Sequence, residues 1–342
     1  MKKHLNTLFV TTQGAYLSKE GETVVVKAEK EVLLQLPIHT IGGIVCFGQV
    51  SCSPFLMGFC AEQGVSISFL SEHGRFLARV QGPVSGNVLL RRQQYRWADD
   101  EGQSVRMAGS ILVGKVANCR SVLGRTLRDH SEKVKEVDVR SAYDRLKNNL
   151  QMLTGGGSLD VLRGIEGDAA HTYFRVFDHL ILSQKEDFTF AERNRRPPLD
   201  RVNCLLSFLY TLLMHDVRSA LECVGLDPAV GFLHRDRPGR PGLALDLMEE
   251  FRPLVVDSAV LSAVNTGMVT PGDFETGASG CLMKPAGRKA LIQAYEQRLD
   301  QLVTHPIFEY RCSWRAIVRL QARLLSRWLR GDVPAYQGIT TR

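Results

Sequence analysis

Up to about residue 80, apolar positions fall in short runs: Leu8–Thr12, Thr23–Val26, Val32–Leu36, Gly43–Phe47, Ser66–Leu70 and Phe76–Val80. The runs are rich in β-branched and aromatic residues, and Gly14, Gly21, Pro37, Gly42, Gly48 and Gly74 punctuate them. Such spacing predicts short strands joined by turns. One helix is predicted over Ser53–Gly64, with Pro54 in its first turn. Past Gly82, Pro83 and Gly86 the period becomes helical. Helices are expected over Val88–Trp97, Gln103–Leu127, Ser131–Leu153, Leu199–Val224, Leu243–Arg252, Gly287–Thr304 and Ser313–Arg330. Another is expected from an N-cap at Ser158 to about Ser183, after the break at Gly155-Gly156-Gly157. The predicted class is α+β, with a small N-terminal β-sheet or sandwich domain (1–84) followed by a large all-α domain (85–342). The tail after Gly331 carries few structural signals and is expected to be mobile.

Composition narrows the setting. The chain has 342 residues, 44% hydrophobic and 23% charged, as in a globular protein. No apolar run reaches the ~18 residues that span a bilayer. Asn6, Thr7, Thr11, Thr12 and Gln13 interrupt the segment after Met1-Lys2-Lys3-His4, which argues against a secretory signal. The eight cysteines form no CxxC pair, so neither a zinc knuckle nor a disulfide framework is supported. A reduced, cytoplasmic setting is expected. The net charge of +7 (43 basic minus 36 acidic residues) favours a polyanionic partner.

Three segments carry possible metal ligands. Gly164-Ile165-Glu166-Gly167 sets a glutamate between two glycines inside a helical stretch. Each glycine costs about 1 kcal/mol relative to alanine there. Close approach of a backbone, metal or phosphate would justify them; so would tight helix packing beside a solvated carboxylate. Gly225 to His234 ends a helix in a Gly/Pro-rich loop that delivers a histidine, with or without a role. On the helix after it, Asp246, Glu249 and Glu250 are expected to share one face, either around a cation or as a solvated acidic surface. Two carboxylates and an imidazole suit Mg2+ or Mn2+, and phosphodiester chemistry needs such a cation. Basic clusters lie nearby. They are Arg193, Arg195 and Arg196; Arg235, Arg237 and Arg240; and the four-residue repeat Arg315, Arg319, Arg323 and Arg327. Singly these read as solvated faces; together they favour phosphate-backbone contact. No base-reading motif is present.

The run Gly225–His234, with Gly239-Arg240-Pro241 and Leu243–Pro253, resembles the CRISPR-associated adaptation integrase/endonuclease, the universal spacer-acquisition nuclease, in a wording close to the I-C subtype. Further stretches agree: Glu166 with Tyr173-Phe174, Arg193–Pro198 with Asn203–Tyr210, and Gln321–Arg323 with Leu329–Asp332. The resemblance spans essentially the whole chain. It implies a metal triad at Glu166, His234 and Glu249, both ligating and catalytic, where many members carry Asp at the last position. It places Asp246 behind the ligands or near DNA. Gly242 stands where Ser was expected, and is read as an acceptable N-cap. The implied activity is metal-dependent (Mg2+ or Mn2+) endonuclease and integrase chemistry: a 3′-hydroxyl of new spacer DNA attacks a phosphodiester at the repeat array. Catalysis falls to the α-helical domain and dimerisation to the β domain. Implied partners are double-stranded DNA (prespacer and CRISPR repeat), a second copy forming a homodimer, and a small ferredoxin-like adaptation protein completing a heterohexameric complex. No membrane is involved. Arg193, Arg195, Arg196, Ser207, Tyr210, Arg237 and Arg240 are expected to contact DNA. The competing readings are a stand-alone structure-selective nuclease that uses water as nucleophile, and a catalytically silent DNA-binding scaffold.

Overall fold

The computed structural model describes residues 6–82, 88–195, 197–277 and 280–341. The chain divides into two compact units, Met1–Ser85 and Gly86–Arg342. The first holds β1 (Asn6–Val10), β2 (Tyr16–Glu20), β3 (Thr23–Ala28), β4 (Glu31–Pro37), β5 (Ile41–Phe47), β6 (Ser51–Cys52), α1 (Pro54–Glu62), β7 (Ser66–Leu70) and β8 (Phe76–Val80). One four-stranded sheet runs β1-β5-β7-β8 and the other β4-β3-β2-β6. β1, β5 and β7 pair in parallel. A single apolar core draws Val10, Ile44 and Ile67 from the first sheet, Leu17, Val24 and Val26 from the second, and Leu56 and Cys60 from α1. Ser53 caps α1, its Oγ accepting the Leu56 N–H at 3.2 Å. Strand β2 is not evident in the sequence: of Tyr-Leu-Ser-Lys-Glu only Leu17 is buried, and antiparallel pairing with β3 holds the rest extended.

The second unit is mainly helical: α2 (Val88–Asp99), α3 (Glu101–Asp129), α4 (Glu136–Thr154), α5 (Leu159–Arg175), α6 (Arg201–Cys223), α7 (Gly242–Met248), α8 (Ser258–Asn265), α9 (Pro285–Asp300) and α10 (Trp314–Leu329). It is not all-α. β9 (Phe274–Gly277) pairs with β10 (Gly280–Met283), and β11 (Leu302–Thr304) with β12 (Arg311–Ser313). These strands are three or four residues long, too short for period-2 patterning to register. The long α3 forms the spine, packing on α4, α5 and the segment after α7. The expected helix Leu243–Arg252 ends early, at Met248, and is followed by a π-helical turn over Arg252–Asp257. Pro253 lacks the N–H that a regular ladder needs there. Ser158 does cap α5, accepting the Val161 N–H.

Two expectations fail. The tail is not mobile: Tyr336 is 2% exposed and Ile339 1%. Arg315 does not join an exposed basic stripe, since its buried guanidinium pairs with Glu296 at 2.7 Å and Asp300 at 3.3 Å. Arg319 and Arg323 are exposed. Among the described residues no helix is long and apolar enough to cross a membrane. Ile44→Ala, which empties the centre of the sandwich core, should lower unfolding free energy by about 2–5 kcal/mol in a denaturant titration.

Candidate metal centre

The site is built on α3. Lys115 follows Ile111 by four residues and precedes Cys119 by four, so it sits on the helix's buried stripe. Its ammonium donates to Glu166 Oε1 on α5 and stands 2.8 Å from Glu249 Oε2, just past the end of α7. Two carboxylates distant in sequence therefore meet at one cation. Arg252 Nη2 reaches Glu249 Oε1 at 3.2 Å. Burial alone would raise the Glu249 pKa; Arg252, Lys115 and His234 together hold it down at about 2. Burial also works against the Lys115 charge, but Glu249 and Glu166 outweigh it and raise its pKa.

His234 is held from behind. Its Nδ1 lies 2.7 Å from Asp246 Oδ1. The fully buried Asp246 also accepts the backbone N–H groups of Phe232 (2.6 Å), Leu233 (3.0 Å) and His234 (2.9 Å). With Nδ1–H given to a carboxylate, Nε2 keeps a lone pair for ligation. Asp246 therefore orients the histidine and, being buried, touches no DNA. The loop is pinned from α2: Gln94 Nε2 donates to Asp227 O (2.7 Å) and Val230 O (2.9 Å), and Arg91 donates to Gly225 O (3.1 Å). From α5, Arg163 donates to Leu233 O at 3.2 Å. Gly231 and Gly242 permit the fold of this loop. A Cβ on Gly242 would lie 2.7 Å from His234 O, and one on Gly231 2.6 Å from Gly242 C. Gly242 is thus no N-cap; the cap position is Pro241, and glycine is required by close approach.

The three acids of the Asp246-Leu-Met-Glu249-Glu250 run do not share a face. Asp246 turns to the His234 loop, Glu249 to Lys115 and Arg252, and Glu250 to Gln321 and Tyr336. The helix ends between them, and each finds its own partners. Glu250 is pushed up to about 8 by burial, against donors that favour its charged form.

The donor set fits a hard divalent ion. Glu249 Oε2 is buried, with the Lys115 ammonium 2.8 Å away. As the side chains are posed, no three His, Cys, Asp or Glu groups among the described residues stand close enough to hold an ion. The Lys115 ammonium stands between the two carboxylates. Gly164 and Gly167 are exposed, and a Cβ on either would meet nothing within 4 Å. They do not serve helix packing and leave the α5 face beside Glu166 bare.

The expected DNA contacts separate. Arg193 is partly buried and engaged inside the fold, donating to Asn203 Oδ1 at 2.6 Å and Ser207 Oγ at 3.1 Å. Its guanidinium lies 5.4 Å from the Tyr210 ring centre, and that of Arg252 5.0 Å from it. Tyr210 donates to Asp257 at 2.6 Å, and burial raises the Asp257 pKa to about 6. Arg193, Ser207 and Tyr210 therefore buttress the floor of the site instead of forming an exposed DNA face. Arg195 and Arg237 are exposed and Arg240 partly so. Arg196 lies outside the described residues. Lys115 and Arg252 are missing from the sequence-based site, although a lysine on a buried helical stripe was a visible signal.

The family description of CRISPR associated protein Cas1 matches residues 8–297. A CRISPR-associated endonuclease Cas1 of Chlorobaculum tepidum is 52% identical over 98% of both chains. One of Rhodospirillum rubrum is 48% identical, again over 98% of both. The solved structure of a CAS1 protein from Thermotoga maritima superposes with a TM-score of 0.80 at 25% identity, covering 96% of this chain and 97% of that one. The chain belongs to the Cas1 family of CRISPR-associated endonucleases.

Proposed function

We propose that this protein is a divalent-metal-dependent DNA endonuclease and integrase of CRISPR adaptation, with Glu166, His234 and Glu249 as its metal ligands. The observation that carries the reading is the meeting of Glu166 and Glu249 at one ammonium, beside a histidine whose free nitrogen is fixed by Asp246. Bound there, Mg2+ or Mn2+ would act as a Lewis acid on a phosphodiester. The chain's own residues do the rest. Arg252 and Lys115 hold Glu249 in its charged form, and with Glu166 beside Lys115 they gather cationic charge where the phosphate must sit. His234 serves as a ligand, because Asp246 commits its other nitrogen. The bare face at Gly164 and Gly167 lets a DNA backbone approach Glu166 closely. In strand transfer the attacking 3′-oxygen bonds to phosphorus as the original ester oxygen leaves. Exposed Arg195, Arg235, Arg237, Arg319 and Arg323 supply sequence-independent phosphate contacts.

Dimerisation through the first unit is favoured by β4, an edge strand whose Val32, Leu33 and Leu34 are 56%, 50% and 38% exposed. Such a flat apolar edge calls for cover. A second copy supplies it, and the small adaptation partner bridges two dimers on duplex DNA.

Glu166→Gln and His234→Ala should each abolish cleavage of a branched duplex and integration of a labelled duplex into a repeat-bearing plasmid, with DNA affinity retained. Full metal-dependent activity in either variant would dismantle the triad. Running the integration assay with and without the small partner separates integrase from water-using nuclease, and inactivity at every Mn2+ concentration would favour a silent scaffold. Mn2+ should raise the melting temperature of the native protein and leave that of Glu166→Gln nearly unmoved. Glu249→Ala should also lower stability, by up to about 3 kcal/mol, because it removes the carboxylate between Arg252 and the buried Lys115 and leaves Lys115 with Glu166 alone. Arg195→Ala with Arg196→Ala should flatten the slope of log affinity against log salt by roughly one to two; an unchanged slope removes that patch from the DNA path.

A further inference from the structure

The C-terminal tail packs against Glu250, the residue that follows Glu249. Glu250 follows Glu249 directly, and its carboxylate is fully buried. Oε1 accepts the Tyr336 hydroxyl. Oε2 accepts the Ile339 N–H and, at 3.1 Å, Gln321 Nε2. Gln321 Nε2 also lies 3.0 Å from both Tyr336 Oη and Gln337 O. The backbone is gripped as well: Asn118 Nδ2 donates to Glu250 O and to Ile339 O, each at 2.8 Å. Beyond it, Ser121 Oγ donates to Thr341 O at 2.7 Å.

Glycines make this approach possible. A Cβ on Gly338 would lie 2.8 Å from Ser110 O and 3.2 Å from Glu250 Oε2; one on Gly114 would lie 3.4 Å from Gly338 Cα. On successive positions α3 therefore lets the tail pass at Gly114, holds the ligand carboxylates at Lys115, and clamps the tail at Asn118. The main chain needs such help here. The α-helical ladder ends at Met248, and the next regular segment is the π-helical turn from Arg252. Between them Glu249 keeps one local backbone bond, its N–H donating to Asp246 O at 3.1 Å, and the residue after it is tied to the tail.

We propose that residues 332–341 form a strap that positions Glu249 for metal binding, acting through Glu250, Asn118 and Gln321. The proposal rests on Glu249 being a ligand. Tyr336 and Glu250 are positioning residues, since their side chains bond to each other, Gln321 and the Ile339 N–H and not to Glu166, His234 or Glu249. The strap makes the ligand geometry depend on the end of the chain, so anything that pulls the tail free loosens the metal centre.

Mn2+ binding by electron paramagnetic resonance, alongside the Mn2+ dependence of duplex integration, tests this on the full-length protein, on Tyr336→Phe and on a chain ending at Gly331. Loss of an outer support of a metal ligand typically costs roughly 10–100-fold in metal affinity or activity. The shortened chain should need about ten-fold more Mn2+ for half-saturation, recover activity at saturating Mn2+, and regain native affinity on addition of a peptide of residues 332–342. Tyr336→Phe, which deletes one hydroxyl and little volume, should shift half-saturation in the same direction. Unchanged Mn2+ half-saturation in Tyr336→Phe, or lost activity with unaltered Mn2+ affinity in the shortened chain, overturns the strap. If the shortened chain does not fold, Tyr336→Phe alone decides. Native Mn2+ affinity in Glu166→Gln would instead count against the metal centre itself.

Discussion

Everything near the site is arranged around one electrostatic constraint: two carboxylates, Glu166 and Glu249, need a cation between them. Glu249 is 3% exposed, and Lys115 is only slightly more so at 7%. Attraction between unit charges at about 4 Å is on the order of 4 kcal/mol at an effective dielectric of 20. Taking each ion out of water costs several kcal/mol. The cluster therefore adds little net stability, and an apolar trio of similar volume would serve the core equally well. The cluster is dry on one side only, since the Glu166 side chain keeps 30% of its surface exposed. The cost is contained by pairing: Arg252 takes the second oxygen of Glu249, and Tyr210 and Asp257 close the floor beneath it.

The supports of the three ligands differ in kind, and the difference follows from local backbone. Glu166 stands mid-helix on α5, where the ladder itself fixes its direction. His234 stands on a loop with no ladder, so Asp246 gathers three backbone N–H groups and the ring nitrogen to hold it. Glu249 stands where α7 has ended, with Lys115 and Arg252 on its carboxylate, while the tail's hydrogen bonds go to the neighbouring Glu250. The less regular the backbone under a ligand, the more side chains are committed behind it.

Much of this was legible along the chain. The strand runs at Ser66–Leu70 and Phe76–Val80 coincide with β7 and β8, Pro54 was identifiable as a first-turn residue and Ser158 as a cap. Long amphipathic helices show because their period is sampled many times. β2 and the hairpins β9–β10 and β11–β12 are too short or too polar to sample it. The tail was misread for a related reason: Tyr336 and Ile339 are single apolar residues, and their anchoring is by polar groups on α3 and α10 that no local pattern encodes. Asp246, Glu249 and Glu250 were misplaced on a common face because the rule assumes a continuing helix. Gly242 looked like a weak cap because its real reason, the nearness of His234 O, lies in another segment.

The net charge of +7 also changes meaning once the positions are known. Arg193, Arg252 and Arg315 contribute to it, yet each is committed inside the fold to a hydroxyl, amide or carboxylate. A phosphate backbone does not meet those charges at the surface. The arginines open to a polyanion are Arg195, Arg235, Arg237, Arg319 and Arg323, which are exposed. Buried arginines fix geometry and are insensitive to salt; exposed ones are screened within about 10 Å at 0.1 M ionic strength. DNA affinity should therefore respond steeply to salt while the arrangement of Glu166, His234 and Glu249 does not. Binding and chemistry are separable properties of this chain because its arginines are divided between the inside and the surface.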